Sequence, residues 1–262
     1  MSDWNRNAPA YGQDATRAGS AELDQGLRAF MLGVYNNMVL GLAITGLAAL
    51  GIFMAATTSD QATAVASVGG GLYLTQFGYA LFASPLKWVV ILAPLAMVFF
   101  ISFRIEKLQA GTARMLFLAY AALMGVSISS IFLIYTQASI VQVFFVTAAA
   151  FGALSLYGYT TKRNLSAMGS FLIMGLFGLI IASLVNLFLQ SSGFQFVISV
   201  LGVLIFAGLT AWDTQRIKEM YYALDGGEVA AKKSVLGALS LYLNFINMFM
   251  FLLQLFGQQR SN

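Results

Sequence analysis

Leu236 to Phe256 reads LGALSLYLNFINMFMFLLQLF, a run of 21 residues with no formal charge and no proline. A helix that crosses a bilayer needs about 20 mostly apolar residues, and this run supplies them. Outward from it, six more stretches satisfy the same requirement: Phe30–Thr57, Trp88–Phe103, Met115–Tyr135, Val141–Tyr159, Phe171–Leu189 and Phe194–Trp212. The composition agrees. Of 262 residues, 59% are hydrophobic and 9% charged, against about 25% charged in an ordinary soluble domain, too few to coat a globular surface. The expected fold is an all-α membrane protein with seven transmembrane helices.

The flanking segments set the organisation. Residues 1–28 are rich in Asn, Gln, Asp and Gly and lack the apolar core of a cleavable signal peptide. They read as a disordered cytosolic tail, followed by a transmembrane domain over 29–257 and a short carboxyl-terminal tail over 258–262. The longest loop, Thr58 to Lys87, holds Gly69-Gly70-Gly71 with Tyr73, Phe77, Tyr79 and Phe82, so part of it is expected on the membrane surface. With seven crossings, 12 of the 14 basic residues fall on the side of the amino terminus, and only Lys87 and Arg260 on the other. The positive-inside rule then puts the amino terminus in the cytosol and the carboxyl terminus outside. The basic residues come in short runs between spans, with no block of like charge, so no nucleic-acid partner is expected. The bilayer is the expected environment.

Absences narrow the chemistry. The chain has no Cys and no His, which excludes disulfides, thiol nucleophiles, Cys/His zinc sites, His-ligated haem and Ser-His-Asp triads. The last span has no lysine for a retinal Schiff base, and only Asp213 lies near a span, where an intramembrane aspartyl protease needs two aspartates. The expectation is a protein that is not an enzyme and has no cofactor. Small residues four apart (Ala121/Gly125/Ser129, Ala148/Gly152, Ala207/Ala211) predict close helix packing, while Gly175 and Gly178 offer a place where a helix could break around a site.

Ionisable groups in or beside spans are costly and are candidates for function. Asp213 closes the sixth span, with Arg216 one turn on; Arg104 closes the second. Asn244 and Asn247 share a helix face with Ser240 in the last span. With Asn186 in the fifth span and Asn36 and Asn37 in the first, they are expected to line a polar seam. Asp213 and Asn244 can meet only if the sixth helix runs on to about Met220.

ALSLYLNFINMF, Ala238 to Phe249, closely resembles the last-helix signature of the Bax inhibitor-1 family. AWDTQRIK, from Ala211, resembles the end of that family's sixth helix, and SLYGYTTK from Ser155 and GSFLIMG from Gly169 are similar to its bacterial YccA-like branch. The resemblance spans about Leu27 to Gly257. It implies a seven-helix bundle with the last helix central, in a bacterial inner membrane, and a calcium leak channel-like activity with calcium as the permeant ion. The alternative it implies is a non-conducting regulator of a membrane protease or of a stress or cell-death pathway, with that protease or another membrane protein as partner. It further implies a gate and pH sensor at Asp213, with Arg104 as a latch and Asp213 as the metal-attracting group. Where the family commonly has a second aspartate, this chain has Asn244, which adds no charge but can hydrogen-bond Asp213.

Overall fold

The computed structural model describes residues 11–69, 71–104 and 107–260. Seven helical spans are present: Asp24–Ala56, Leu86–Arg104, Ala110–Ile134, Gln137–Thr160, Ser166–Leu189, Ser192–Glu219 and Gly227–Phe256. The expected apolar runs fall on these spans, and most spans extend beyond them by one or two turns. The added turns are built from residues that serve a helix well where the bilayer ends, such as 227–235 with Glu228, Lys232 and Lys233.

The first helix, α1, is Tyr11–Ala56. Part of the tail expected to be disordered is therefore helical from Tyr11 on. Ala15, Arg17, Ala18, Ala21 and Glu22 are good helix formers, and they continue a helix that the following span already nucleates. Residues 1–10 lie outside the described part.

The loop after α1 folds into a small sheet and a short helix. Strands β1 (Thr57–Thr58), β2 (Ala66–Gly69) and β3 (Leu72–Leu74) form a small antiparallel sheet in the order β1-β3-β2. Gly71 makes the tight β2–β3 connection at φ +74, a conformation that glycine adopts without a Cβ clash. The short helix α2 (Gln76–Phe82) is capped by Thr75. It sits under the end of α1, where Gly78 lies directly against the Ala56 carbonyl and Thr75 N–H donates to that oxygen at 3.0 Å.

The remaining helices are α3 (Leu86–Arg104), α4 (Ala110–Ile128), α5 (Ile131–Ile134), α6 (Gln137–Thr160), α7 (Ser166–Leu189), α8 (Ser192–Glu219) and α9 (Gly227–Phe256). α4 and α5 share one span, interrupted at Ser129, whose hydroxyl turns back to the Val126 carbonyl. α7 is continuous through Gly175 and Gly178, so the helix break considered there does not occur.

Burial ranks the helices. Two-thirds of the apolar window of α9 is inside the bundle (67%), against 11% for α3 and for α7. α9 is the central helix. It packs on α1, α4, α6 and α8, while α3 lies outside against α4 and α7 outside against α8. Close approach explains Gly125 and Gly41, whereas Ala148 and Gly152, expected in a close contact, face open space. A Cβ on Gly125 would strike Thr45 O and Ala48 of α1, and one on Gly41 would strike the Phe117 ring. Tyr242, fully buried at the centre, meets Phe117 and Tyr120 edge-on and pairs its hydroxyl with Thr45 Oγ1 at 2.6 Å. After α9 the chain is tied to the α5–α6 turn: Gln258 N–H donates to Ser139 Oγ at 2.9 Å, and Arg260 N–H to the Ile134 carbonyl at 2.9 Å.

Candidate functional site: a buried carboxylate between α8 and α9

α8 does not stop at Trp212. TQRIKE, Thr214 to Glu219, has no helix breaker, and Arg216 and Lys218 stand in the last turn, where a cation is favoured by the negative end of the helix dipole. α9 then returns antiparallel in a fixed register. A Cβ on Gly237 would crowd the Ile217 side chain, and the Lys233 ammonium donates to the Met220 carbonyl at 3.0 Å and pairs with Asp225 at 2.6 Å. That register brings Ser240 and Asn244 opposite Asp213.

Asp213 is 5% exposed. Its Oδ2 accepts from the Asn244 amide at 2.7 Å and from the Ser240 hydroxyl at 2.8 Å. Its Oδ1 lies 2.7 Å from Arg216 Nη2. That contact is an ion pair whose N–H is not aligned with the oxygen, so Oδ1 has no hydrogen bond of its own. Arg216 also donates to Ser240 Oγ at 3.3 Å, and its guanidinium stacks 4.8 Å over the Trp212 ring. The groups that reach the carboxylate are two donors, the Asn244 amide and the Ser240 hydroxyl, and one cation, Arg216.

The surroundings hold this turn of α8 in place. Gly158 of α6 lies against the Ala211 carbonyl, and Gly169 of α7 against the Trp212 ring. The Gln215 side chain accepts from Leu165 N–H and donates to the Arg163 carbonyl, both at 2.8 Å, clasping the α6–α7 connection. Lys218 donates to the Tyr159 carbonyl at 2.9 Å. A hydroxyl chain runs beside the site, from Tyr35 to Ser155 at 2.6 Å and from Ser155 to Thr214 at 3.0 Å.

Three expectations need correction. Arg104 does not reach Asp213: it is exposed at the end of α3, an outer helix whose main neighbours are α2 and α4. Arg216, in the same helix as the acid, takes its place. The polar seam is not continuous. Asn247 donates to the Leu243 carbonyl of its own helix. Asn186 belongs to an amide cluster near the opposite end of the bundle, where Gln195 links it to Gln254 of α9. Buried Phe206, Leu209, Met248 and Leu252 fill the space between that cluster and Asp213. Finally, Asp213 is a poor cation ligand as arranged, because two donors and a guanidinium already cover its oxygens. Among the described residues no three His, Cys, Asp or Glu side chains cluster to hold a metal. Arg216 was visible as an acid–base pair three residues apart; Gln215 and Gly158 carried no local signal.

These features define a polytopic α-helical membrane protein built on a central helix that covers one buried carboxylate. The chain belongs to the Bax inhibitor-1 family: the family model described as Inhibitor of apoptosis-promoting Bax1 matches residues 27–261. It is 44% identical over 238 residues to the inner membrane protein YbhL of Escherichia coli, covering 90% of this chain and 94% of that protein. It is 46% identical to an uncharacterized protein of Caulobacter vibrioides over the full length of both. A Rickettsia prowazekii protein is 46% identical over 246 residues, covering 94% of this chain and 96% of its own length.

Proposed function

We propose that this chain is a calcium leak pathway of the bacterial inner membrane, passive and without cofactor, closed around Asp213. In this reading the amino terminus is cytosolic and the carboxyl terminus outside. The observation that carries it is the bond set of Asp213: an acid 5% exposed, joined to α9 by Asn244 and Ser240 and neutralised by Arg216. The pair is half open to water and lies within one turn of α8, so it adds little to stability. Its link to α9 runs through the Arg216 bond to Ser240 at 3.3 Å, which makes it a poor structural staple and a good switch. Protonating Asp213 removes the charge that holds Arg216, whose side chain is 47% exposed and free to swing into water. The α8–α9 contact at this end then loosens. The name of the YbhL relative and the asymmetry of basic residues support the membrane and the orientation.

The test is calcium entry into dye-loaded proteoliposomes as a function of pH. Flux should rise on acidification in the wild type, and Asp213→Asn should abolish that pH response. Flux no greater than in protein-free vesicles at every pH refutes conduction and leaves the non-conducting regulator of a membrane protease or stress pathway.

A further inference from the structure

A cleft of about 1220 Å³ runs between α1 and α6, floored by Phe245, Ile246 and Phe249 of the central helix. We propose that it holds an anionic phospholipid, with the phosphate at Arg28 and the acyl chains lying along the groove.

The lining runs on α1 from Arg28 to Leu50, ~33 Å at 1.5 Å per residue, about the ~30 Å hydrocarbon core of a bilayer. Extended alkyl chains fit along such a groove. Gly46 and Gly152 both line the cleft, and a Cβ on either would meet nothing within 4 Å. Among the described residues no side chain takes this space.

The chemistry of the walls agrees. Two pairs of polar side chains are satisfied within the protein, Tyr35 with Ser155 and Thr45 with Tyr242, and most of the remaining lining is apolar. Among the lining residues formal charge falls at one mouth; at the other, Arg260 lies over the ring of Phe53, which stacks on the lining residue Phe132. Arg28 is the only ionisable Lys, Arg, Asp or Glu among the lining residues. Lys218 bonds the carbonyl of Tyr159, which lines the same cleft. Asp24, one turn before Arg28, is exposed and is not among the lining residues. The other mouth, at Leu50, Phe132 and Val141, has no charged lining residue. A cation at one end of an apolar groove fits a phosphate headgroup whose tails cover the half of the groove next to it, about one leaflet of the bilayer.

This inference does not depend on conduction, and its test reads lipid, not ions. The full chain is reconstituted with phosphatidylethanolamine and phosphatidylglycerol, extracted in mild detergent and weighed by native mass spectrometry. The wild type should retain phosphatidylglycerol in preference to phosphatidylethanolamine. Arg28→Ala should lower that retention about fivefold, the equivalent of ~1 kcal/mol for one basic residue at a membrane surface. The double variant Gly46→Leu/Gly152→Leu fills the groove and should lose the lipid while keeping wild-type helicity by circular dichroism. Undiminished retention in a folded double variant overturns the proposal. So does equal retention of both lipids by the wild type.

Discussion

The ion pair that closes the site can be weighed directly. Arg216→Met keeps the apolar stem over Trp212 and removes the charge; Asp213→Asn keeps the shape and removes the other. Opposite unit charges about 4 Å apart attract by about 4 kcal/mol at an effective dielectric of 20. The Asp213 side chain is 7% exposed but that of Arg216 is 47%, so water screens one side of the pair and the coupling should fall to about 1–2 kcal/mol. The assay is reversible unfolding in mixed micelles on titration with SDS, at neutral pH, for both single variants and the double. Arg216→Met alone should be the most damaging, because it leaves an ionised carboxylate with only neutral donors. Its effect should shrink in the Asp213→Asn background. A parallel cycle with Arg104→Met should show additivity within about 0.5 kcal/mol, as distant sites do. Stronger coupling of Asp213 to Arg104 than to Arg216 would refute the assignment and restore a latch from α3.

Other expectations follow from the same geometry. Asn244→Asp puts a second carboxylate 2.7 Å from Asp213 Oδ2; like charges that close cannot both ionise, so a proton is taken up at higher pH and acid-induced calcium flux should shift upward. An unmoved midpoint means that the two side chains are not in contact in the membrane. Gly158→Leu drives a side chain into the Ala211 carbonyl and should cost about 1–3 kcal/mol or more, seen as a lower melting temperature in detergent. Gly152→Leu, with open space at its Cβ, should leave that temperature unchanged or raise it. A reporter fused after Asn262 should work only in a form active outside the cytosol, and one inserted at Lys162-Arg163 only in a cytosolic form; the reverse pattern would overturn the orientation.

The spans were legible because a bilayer imposes one requirement, some 20 apolar residues, and seven runs meet it. Their ends were less so. Past the hydrocarbon the helix needs only propensity, and Thr214 to Glu219 or Gly227 to Val235 satisfy it with polar residues that a hydrophobicity reading discards. The sheet over 57–74 went unread because its strands are two to four residues long, too short to show an alternation. The meeting of Asp213 with Asn244 depended on the sixth helix running on to about Met220, a condition stated from the sequence. The choice between Arg104 and Arg216 was not legible, since it depends on α3 packing outside α4 and not beside α8. No pattern within either segment encodes that adjacency.

The asparagine at 244 and the arginine at 216 make sense together. A second acid at 244 would have to hold a proton to donate to Asp213, so the bond between helices would last only while that proton stayed. An amide donates at every pH, and its bond to Oδ2 persists as long as Asp213 can accept. With one acid, one in-helix arginine is enough to neutralise the cluster, and no charge is needed from an outer helix. The contact between α8 and α9 then has a permanent part, from Asn244 and Ser240, and a switchable part, from Arg216. In the proposed gate, protonation of Asp213 releases the second and leaves Asn244 and Ser240 a weaker, neutral acceptor. Removing Asn244, as in Asn244→Leu, should therefore weaken closure across the pH range, whereas Arg216→Met should weaken it only where Asp213 is ionised. Proteoliposome flux measured at two pH values separates these outcomes, and an Asn244→Leu effect confined to neutral pH would show that the amide, too, belongs to the switch.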